Sequence, residues 1–203
     1  STSATISITV NPVNDAPVAN AQSVSVDEDG TLPITLSGSD VEGSSLTYTV
    51  GTPAHGTLSG TAPDLTYTPA LNYTGADSFT FTVNDGTVDS TSATISITVN
   101  PVNDAPVANA QSVSVDEDGT LGITLSGSDV EASSLTYSVG TPAHGTLSGT
   151  APNLTYTPAL NYTGADSFTF TVNDGTVDST SATISITVNP VNDAPVANAQ
   201  SVS

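Results

Sequence analysis

Apolar and polar residues alternate along most of this chain. In Ser78-Phe79-Thr80-Phe81-Thr82-Val83 the apolar side chains fall at 79, 81 and 83, and in Thr94–Val99 they fall at 95, 97 and 99. A period of two is that of a half-buried β-strand. The same pattern places Val24 and Val26 on one face, and Leu32, Ile34 and Leu36 on another. It does so again for Leu46, Tyr48 and Val50, and for Leu65 with Tyr67. Thr fills many outward positions, where a β-branched residue suits the pleat. No stretch combines helical spacing with good helix formers. Turn signals separate the runs, among them Asp29-Gly30, Gly43-Ser44, Gly51-Thr52-Pro53, Thr74-Gly75 and Asp85-Gly86. Seven or so short strands with regular turns predict an all-β antiparallel sandwich, its core formed by the residues just named together with Leu58. Pro33 falls on the outward side of its strand, which predicts an edge or a bulge there.

The whole pattern recurs. The run Ser-Ala-Thr-Ile-Ser-Ile-Thr-Val-Asn-Pro-Val-Asn-Asp-Ala-Pro begins at Ser3, Ser92 and Ser181, a spacing of 89 residues. Residues 16–104 and 105–193 differ at four positions only: Pro33/Gly122, Gly43/Ala132, Thr49/Ser138 and Asp64/Asn153. Each copy is the size of one small domain. Residues 1–15 match the last strand and linker of a preceding repeat, and 194–203 match the start of a following one. We therefore expect a window from a longer array. The linker Asn100-Pro101-Val102-Asn103-Asp104-Ala105-Pro106 is short and carries two prolines, which stiffen it, so neighbouring repeats are expected end to end.

Charge narrows the function. The chain has no Lys or Arg, 20 Asp and Glu, and a formal net charge of −20. That excludes nucleic acid and anionic membranes as partners, because both are recognised by basic groups. No apolar run approaches the roughly 18 residues of a membrane span. Cys is absent, and a small domain without disulfides often needs another staple, such as a metal. Solubility alone is the competing explanation of an acidic surface.

Threading the strands through a sandwich sorts the acids to its ends. Glu28, Asp77 and the linker acid Asp104 are expected at one end of the first repeat, and Asp129, Glu131 and Asp174 at the facing end of the second. These carboxylates have no basic partner in the chain, and without a cation they would repel one another. Hard oxygen donors of this kind suit Ca²⁺, with its 6–8 ligands, better than Zn²⁺ or Cu²⁺, and Asn103 can add an amide oxygen. The corresponding positions of the other copies are Asn14, Asp15, Asp40, Glu42, Asp85, Glu117, Asp166, Asn192 and Asp193. The competing reading is acids that merely decorate solvated loops.

The stretch from Phe79 through Asp85 to Val99-Asn-Pro-Val-Asn-Asp-Ala-Pro106 resembles the last two strands and linker of a cadherin repeat. Ser39-Asp40-Val41-Glu42, followed by Leu46–Val50, is similar to the cadherin Asp-x-Asp loop and its next strand. The full repeat, with Asp-Glu-Asp-Gly, Tyr-Thr-Pro, Gly-Ala-Asp-Ser-Phe and Asn-Asp-Ala-Pro, is closer still to the cadherin-like tandem repeats of giant bacterial surface proteins. That resemblance implies Ca²⁺-stiffened immunoglobulin-like sandwiches, which extend adhesins of the RTX type exported by type I secretion. It assigns Asn103 and Asp104 to the linker ligands and Asp129 and Glu131 to the acid-x-acid loop. Asp174 takes the place of a cadherin acid before the last strand, and Glu28 that of the glutamate after the first strand. This chain departs from the cadherin pattern in three places. Pro101 stands for the first linker Asp, one linker Asn is missing, and Leu71-Asn-Tyr-Thr-Gly-Ala-Asp77 replaces Leu-Asp-Arg-Glu.

The expected role is a structural extender of an extracellular or cell-surface adhesin, whose partners are the neighbouring repeats of the same chain and whose distal target the sequence does not name. The rival is a carbohydrate- or protein-binding sandwich module, which should display exposed aromatics. Each full repeat has five aromatics, and only Tyr73 sits in a loop. Catalysis is not expected. No nucleophile, base and orienter recur together, and His55 and His144 stand singly in Pro-Ala-His-Gly turns.

Overall fold

The structure is a computed structural model that describes residues 3–195 and 197. Its contacts divide the chain between Val102 and Asn103, two residues before the boundary drawn from the sequence repeat. Asn103 and Asp104 go with the second unit because their hydrogen bonds run into its loops. Residues 196 and 198–203, expected to start a following repeat, lie outside the described residues.

The first repeat has nine strands: β1 (Val18–Ala19), β2 (Gln22–Asp27), β3 (Leu32–Thr35), β4 (Gly38–Ser39), β5 (Thr47–Val50), β6 (Gly56–Thr61), β7 (Asp64–Pro69), β8 (Gly75–Asn84) and β9 (Ala93–Asn100). One sheet has the order β2-β9-β8-β5 and the other β3-β7-β6, while β1 and β4 form a short separate pair. The second repeat follows the same plan from β10 (Val107–Ala108) to β18 (Ala182–Asn189). The described residues contain no helix. All pairs are antiparallel except one per repeat: β2 runs parallel to β9, Gln22 opposite Ile95 through Asp27 opposite Asn100. In the second repeat β11 (Gln111–Asp116) lies parallel to β18 in the same way.

The alternation is expressed as packing. Val26, Ile34, Leu36, Leu65, Tyr67, Phe79, Phe81, Val83, Ile95, Ile97 and Val99 are buried, and Val24, Leu32, Leu46, Tyr48, Val50 and Leu58 pack against them. Each such side chain contributes about 1.5–3 kcal/mol when fully buried. Pro33 lies on β3, an edge strand, as its missing N–H requires. Residues 3–15, within the stretch expected to be the last strand and linker of a preceding repeat, differ in one respect. They share the sequence of β9 and the linker but form no strand, and Ile6, Ile8 and Val10 are exposed. Alternation supplies an apolar face but not a partner: β9 is a strand because β2 and β8 flank it.

Candidate metal centre

In the second repeat the linker is tethered to two loops. Asn103 Nδ2 donates to Asp174 Oδ2 at 2.8 Å and to the carbonyl of Asp104 at 3.0 Å. The Asp104 main-chain N–H donates to Glu131 Oε2 at 3.3 Å. Asp174 follows β17 (Gly164–Asn173), and its Oδ1 accepts the N–H groups of Thr176 at 2.6 Å and Val177 at 2.7 Å. The Val177 N–H and then the Asn103 amide hold the Asp174 carboxyl below its ordinary pKa.

Asp129 follows β13 (Gly127–Ser128) and turns the chain. Its Oδ1 accepts the Ser133 N–H at 2.7 Å and its carbonyl accepts the Ala132 N–H at 3.3 Å. The turn puts Ala132 at φ 58°, where the first repeat has Gly43 at φ 74°. Asp129 Oδ2 is buried and accepts no hydrogen bond.

The first repeat is built alike. Asn14 Nδ2 donates to Asp85 Oδ2 at 2.8 Å, the Asp15 N–H to Glu42 Oε2 at 3.3 Å, and the Ser44 N–H to Asp40 Oδ1 at 2.8 Å. The Asn14 amide, and next the Val88 N–H, lower the Asp85 pKa. Asp40 Oδ2 is again buried without a hydrogen bond. Asn192 reaches the Asp193 carbonyl at 3.3 Å, repeating the local contact of Asn103 with Asp104.

Glu28 lies at the far end of its repeat, only 4 % exposed. Its N–H donates to the Asn100 carbonyl at 3.0 Å and its Oε1 accepts the Val102 N–H at 2.8 Å. Its Oε2 is buried without a partner. Glu117 makes the equivalent bonds to Asn189 and Val191, at 3.0 and 2.8 Å.

Asp77 and Asp166 serve another purpose. Asp77 shares the inward parity of Phe79 and is buried. Its Oδ1 accepts the N–H groups of Ala54 at 3.0 Å and Ser78 at 2.8 Å, and its Oδ2 accepts the His55 N–H at 3.0 Å and the Tyr67 hydroxyl at 2.7 Å. Asp166 repeats all four bonds with Ala143, Ser167, His144 and Tyr156. Four donors occupy the lone pairs that a cation would use. The signal was in the sequence, in the parity with Phe79.

The donor set suits a hard cation. Buried carboxylate oxygens without donors are costly, and the chain has no Lys or Arg to neutralise them. As the loops stand, no group of three or more His, Cys, Asp or Glu side chains among the described residues is gathered closely enough to hold a metal ion.

A family model described as "Bacterial Ig domain" matches residues 14–98 and again residues 103–187. The chain belongs to the bacterial Ig domain family. The two Ig domain matches open on Asn14 and Asn103, the asparagines that tether each linker to its own repeat. Integrin beta-like protein B of Dictyostelium discoideum is 33 % identical over 156 residues, 67 % of this chain and 8 % of that protein. Integrin beta-like protein A of the same organism is 31 % identical over 213 residues, covering 83 % of this chain and 11 % of that protein. The Ig domain chain thus spans about a tenth of the length of these relatives. Among solved structures, human mucin-like protocadherin EC1-2 is similar with a TM-score of 0.51 at 20 % identity, covering 86 % of this chain and 98 % of that one. Human protocadherin-24 EC1-2 gives 0.51 at 16 % identity, covering 89 % and 100 %. These two likenesses are of fold.

Proposed function

We propose that this chain is an extender segment of a secreted or cell-surface adhesin. Its Ig repeats hold a distal binding domain away from the cell, and Ca²⁺ stiffens the junctions between them, as in the RTX-type adhesins that the sequence resembles. The observation that carries this reading is the duplicated linker tether, together with the acids Asp40 and Asp129, each of which keeps one buried carboxylate oxygen that accepts no hydrogen bond. Ca²⁺ would draw on Asn103, Asp104, Asp129, Glu131 and Asp174 in the second repeat, and on Asn14, Asp15, Asp40, Glu42 and Asp85 in the first. Glu28 and Glu117 offer oxygens of the same kind. Bound there, the ion would neutralise charge and fix loops that now depend on a few exposed hydrogen bonds. The integrin-like and protocadherin names of the relatives support an adhesive, extracellular setting, and export by type I secretion belongs to the same reading.

The test is mechanical. Spin labels at Thr57 and Thr187 report the distance distribution between repeats. Ca²⁺ should narrow it and EGTA should broaden it while both sandwiches stay folded. Equal widths in the two conditions would overturn Ca²⁺ stiffening.

A further inference from the structure

Each repeat carries one aromatic stack on its surface, and neither Ca²⁺ binding nor extension uses it. The His55 and Tyr73 rings lie 4.1 Å apart and 5° from parallel, and His144 and Tyr162 lie 4.1 Å apart and 6° from parallel. The pair is fixed before any ligand arrives. The Tyr73 hydroxyl donates to the Ala76 carbonyl at 2.6 Å, and its N–H donates to the Ala70 carbonyl at 3.1 Å. The His55 carbonyl accepts the Ala70 N–H at 2.8 Å, and the His55 N–H is held by Asp77. His55 itself is exposed.

Beside His55 lies an open depression of about 410 Å³, lined by Ala54, Ala76, Ser78, Ser96 and Thr98, with Asp77 beneath. The second repeat has its counterpart, also about 410 Å³, beside His144. Ser78 and Ser96 face each other across β8 and β9, and both are exposed, as is Thr98. The volume is in the range of small-molecule sites, roughly 300–1,000 Å³.

Three ligand classes can be weighed by chemistry. An anion meets a chain with no Lys or Arg and a net charge of −20. A cation meets a carboxylate whose oxygens already accept four hydrogen bonds. A neutral polyol meets hydroxyls that both donate and accept, and beside them the planar imidazole of His55, held in place by the Tyr73 ring stacked on it and offering a flat surface to the C–H face of a pyranose. We propose that the depression beside each His–Tyr stack binds a neutral saccharide unit of a larger glycan. Two such sites on one chain would engage a polymer more strongly than either does alone, provided that it can reach both.

The full chain, labelled with ¹⁵N, is titrated with maltohexaose, cellohexaose, laminarihexaose and mannohexaose, and with trigalacturonate as an anionic control, in EGTA and in Ca²⁺. At least one neutral oligosaccharide should shift, saturably, the amide signals of 54–55, 76–78 and 96–98 and of their counterparts in the second repeat. EGTA should not abolish the shifts, because the linker carboxylates take no part. The double variant His55→Ala/His144→Ala keeps the main-chain bonds of both turns, so it should fold. It should bind at least tenfold more weakly. Silence from all four neutral probes, shifts mapping elsewhere, equal binding of trigalacturonate, or a variant that binds as tightly as the wild type would each overturn the proposal. The last outcome would reduce the stack to packing of its turn.

Discussion

The Tyr67 hydroxyl donates a 2.7 Å hydrogen bond to Asp77 Oδ2, and this bond joins the two sheets of the first repeat. Tyr67 belongs to β7 of the three-stranded sheet and Asp77 to β8 of the four-stranded one. Tyr156 and Asp166 form the same 2.7 Å bond in the second repeat. Burial and then the bond to Asp77 raise the Tyr67 pKa far above its ordinary value, so the phenol stays a donor throughout the physiological range.

Tyr67→Phe should therefore destabilise the first repeat alone. A hydrogen bond to a charged group is worth about 1.5–3 kcal/mol, and 1 kcal/mol shifts a domain of this size by about 4–8 °C. Calorimetry should show one repeat melting at least about 6 °C lower and the other unmoved. Two unmoved transitions would mean that the cross-sheet bond contributes nothing.

Acid should weaken the same link. Burial opposes the Asp77 anion, but the Tyr67 hydroxyl and the Ser78, Ala54 and His55 N–H groups outweigh it and lower its folded pKa. The stabilisation is then complete above the unfolded value of about 3.9 and disappears as pH falls through the lower folded value. Relief of self-repulsion among the other acids acts the opposite way. The readout is thus the difference in urea midpoint between the wild type and Asp77→Asn/Asp166→Asn. That difference should hold from pH 7 to about pH 5 and shrink below about pH 4. A constant difference down to pH 2 would contradict it.

How much of this was legible in the sequence differs by feature. The strands, the core and the edge position of Pro33 followed from alternation and from one missing N–H. The parallel pairing of β2 with β9 did not, because both strands carry the same alternation whichever way they run. The linker tether was legible in part. Threading the strands gathered Glu28, Asp77, Asn103, Asp104, Asp129, Glu131 and Asp174 at one junction, and the structure joins Asn103 to Asp174 and Asp104 to Glu131. Threading did not set Asp77 apart, whose oxygens are filled by donors from a distant turn and a distant strand. The His55–Tyr73 stack had no periodic signal, since both residues lie outside the alternating runs.

Chelation should lower stability if Ca²⁺ binds as proposed. An ion that binds only the folded state contributes about 2.7 kcal/mol at a hundredfold excess over Kd, so EGTA should lower the melting temperature reversibly. Asp104→Ala and Asp129→Ala should each weaken Ca²⁺ affinity more than Asp64→Ala. Asp64 accepts the Thr35 hydroxyl at 2.8 Å, and Asn153 does the same for Thr124 at 3.1 Å, so that position needs an oxygen rather than a charge. Equal effects of all three substitutions would mean that neither Asp104 nor Asp129 is a Ca²⁺ ligand.

The four differences between repeats amount to a natural mutagenesis. Ala132 sits in the left-handed region at φ 58°, which costs a non-glycine residue about 1–2 kcal/mol. Gly122 is a flexible residue where the first repeat has Pro33 on the same edge, and a Cβ there would meet nothing within 4 Å. Ala132→Gly and Gly122→Pro should each stabilise the second repeat, the latter by about 0.4–1 kcal/mol through the unfolded chain. Denaturant midpoints would show it. A loss in either variant would mean that the two backbones differ more than their sequences do.

The parallel pairing of β2 with β9 also determines how a repeat answers a pull. Gln22–Asp27 lies beside Ile95–Asn100, so the first long strand and the last are hydrogen-bonded neighbours running the same way. Tension applied at the two ends of the repeat draws these strands in opposite directions along their length. Their ladder is then loaded in shear, with its bonds resisting together rather than opening one after another from an end. Force carried along a chain of such repeats meets the same clasp in every unit, and it is a clasp made of main-chain hydrogen bonds, which substitutions on its outer Ser and Thr positions leave in place unless they bring in proline.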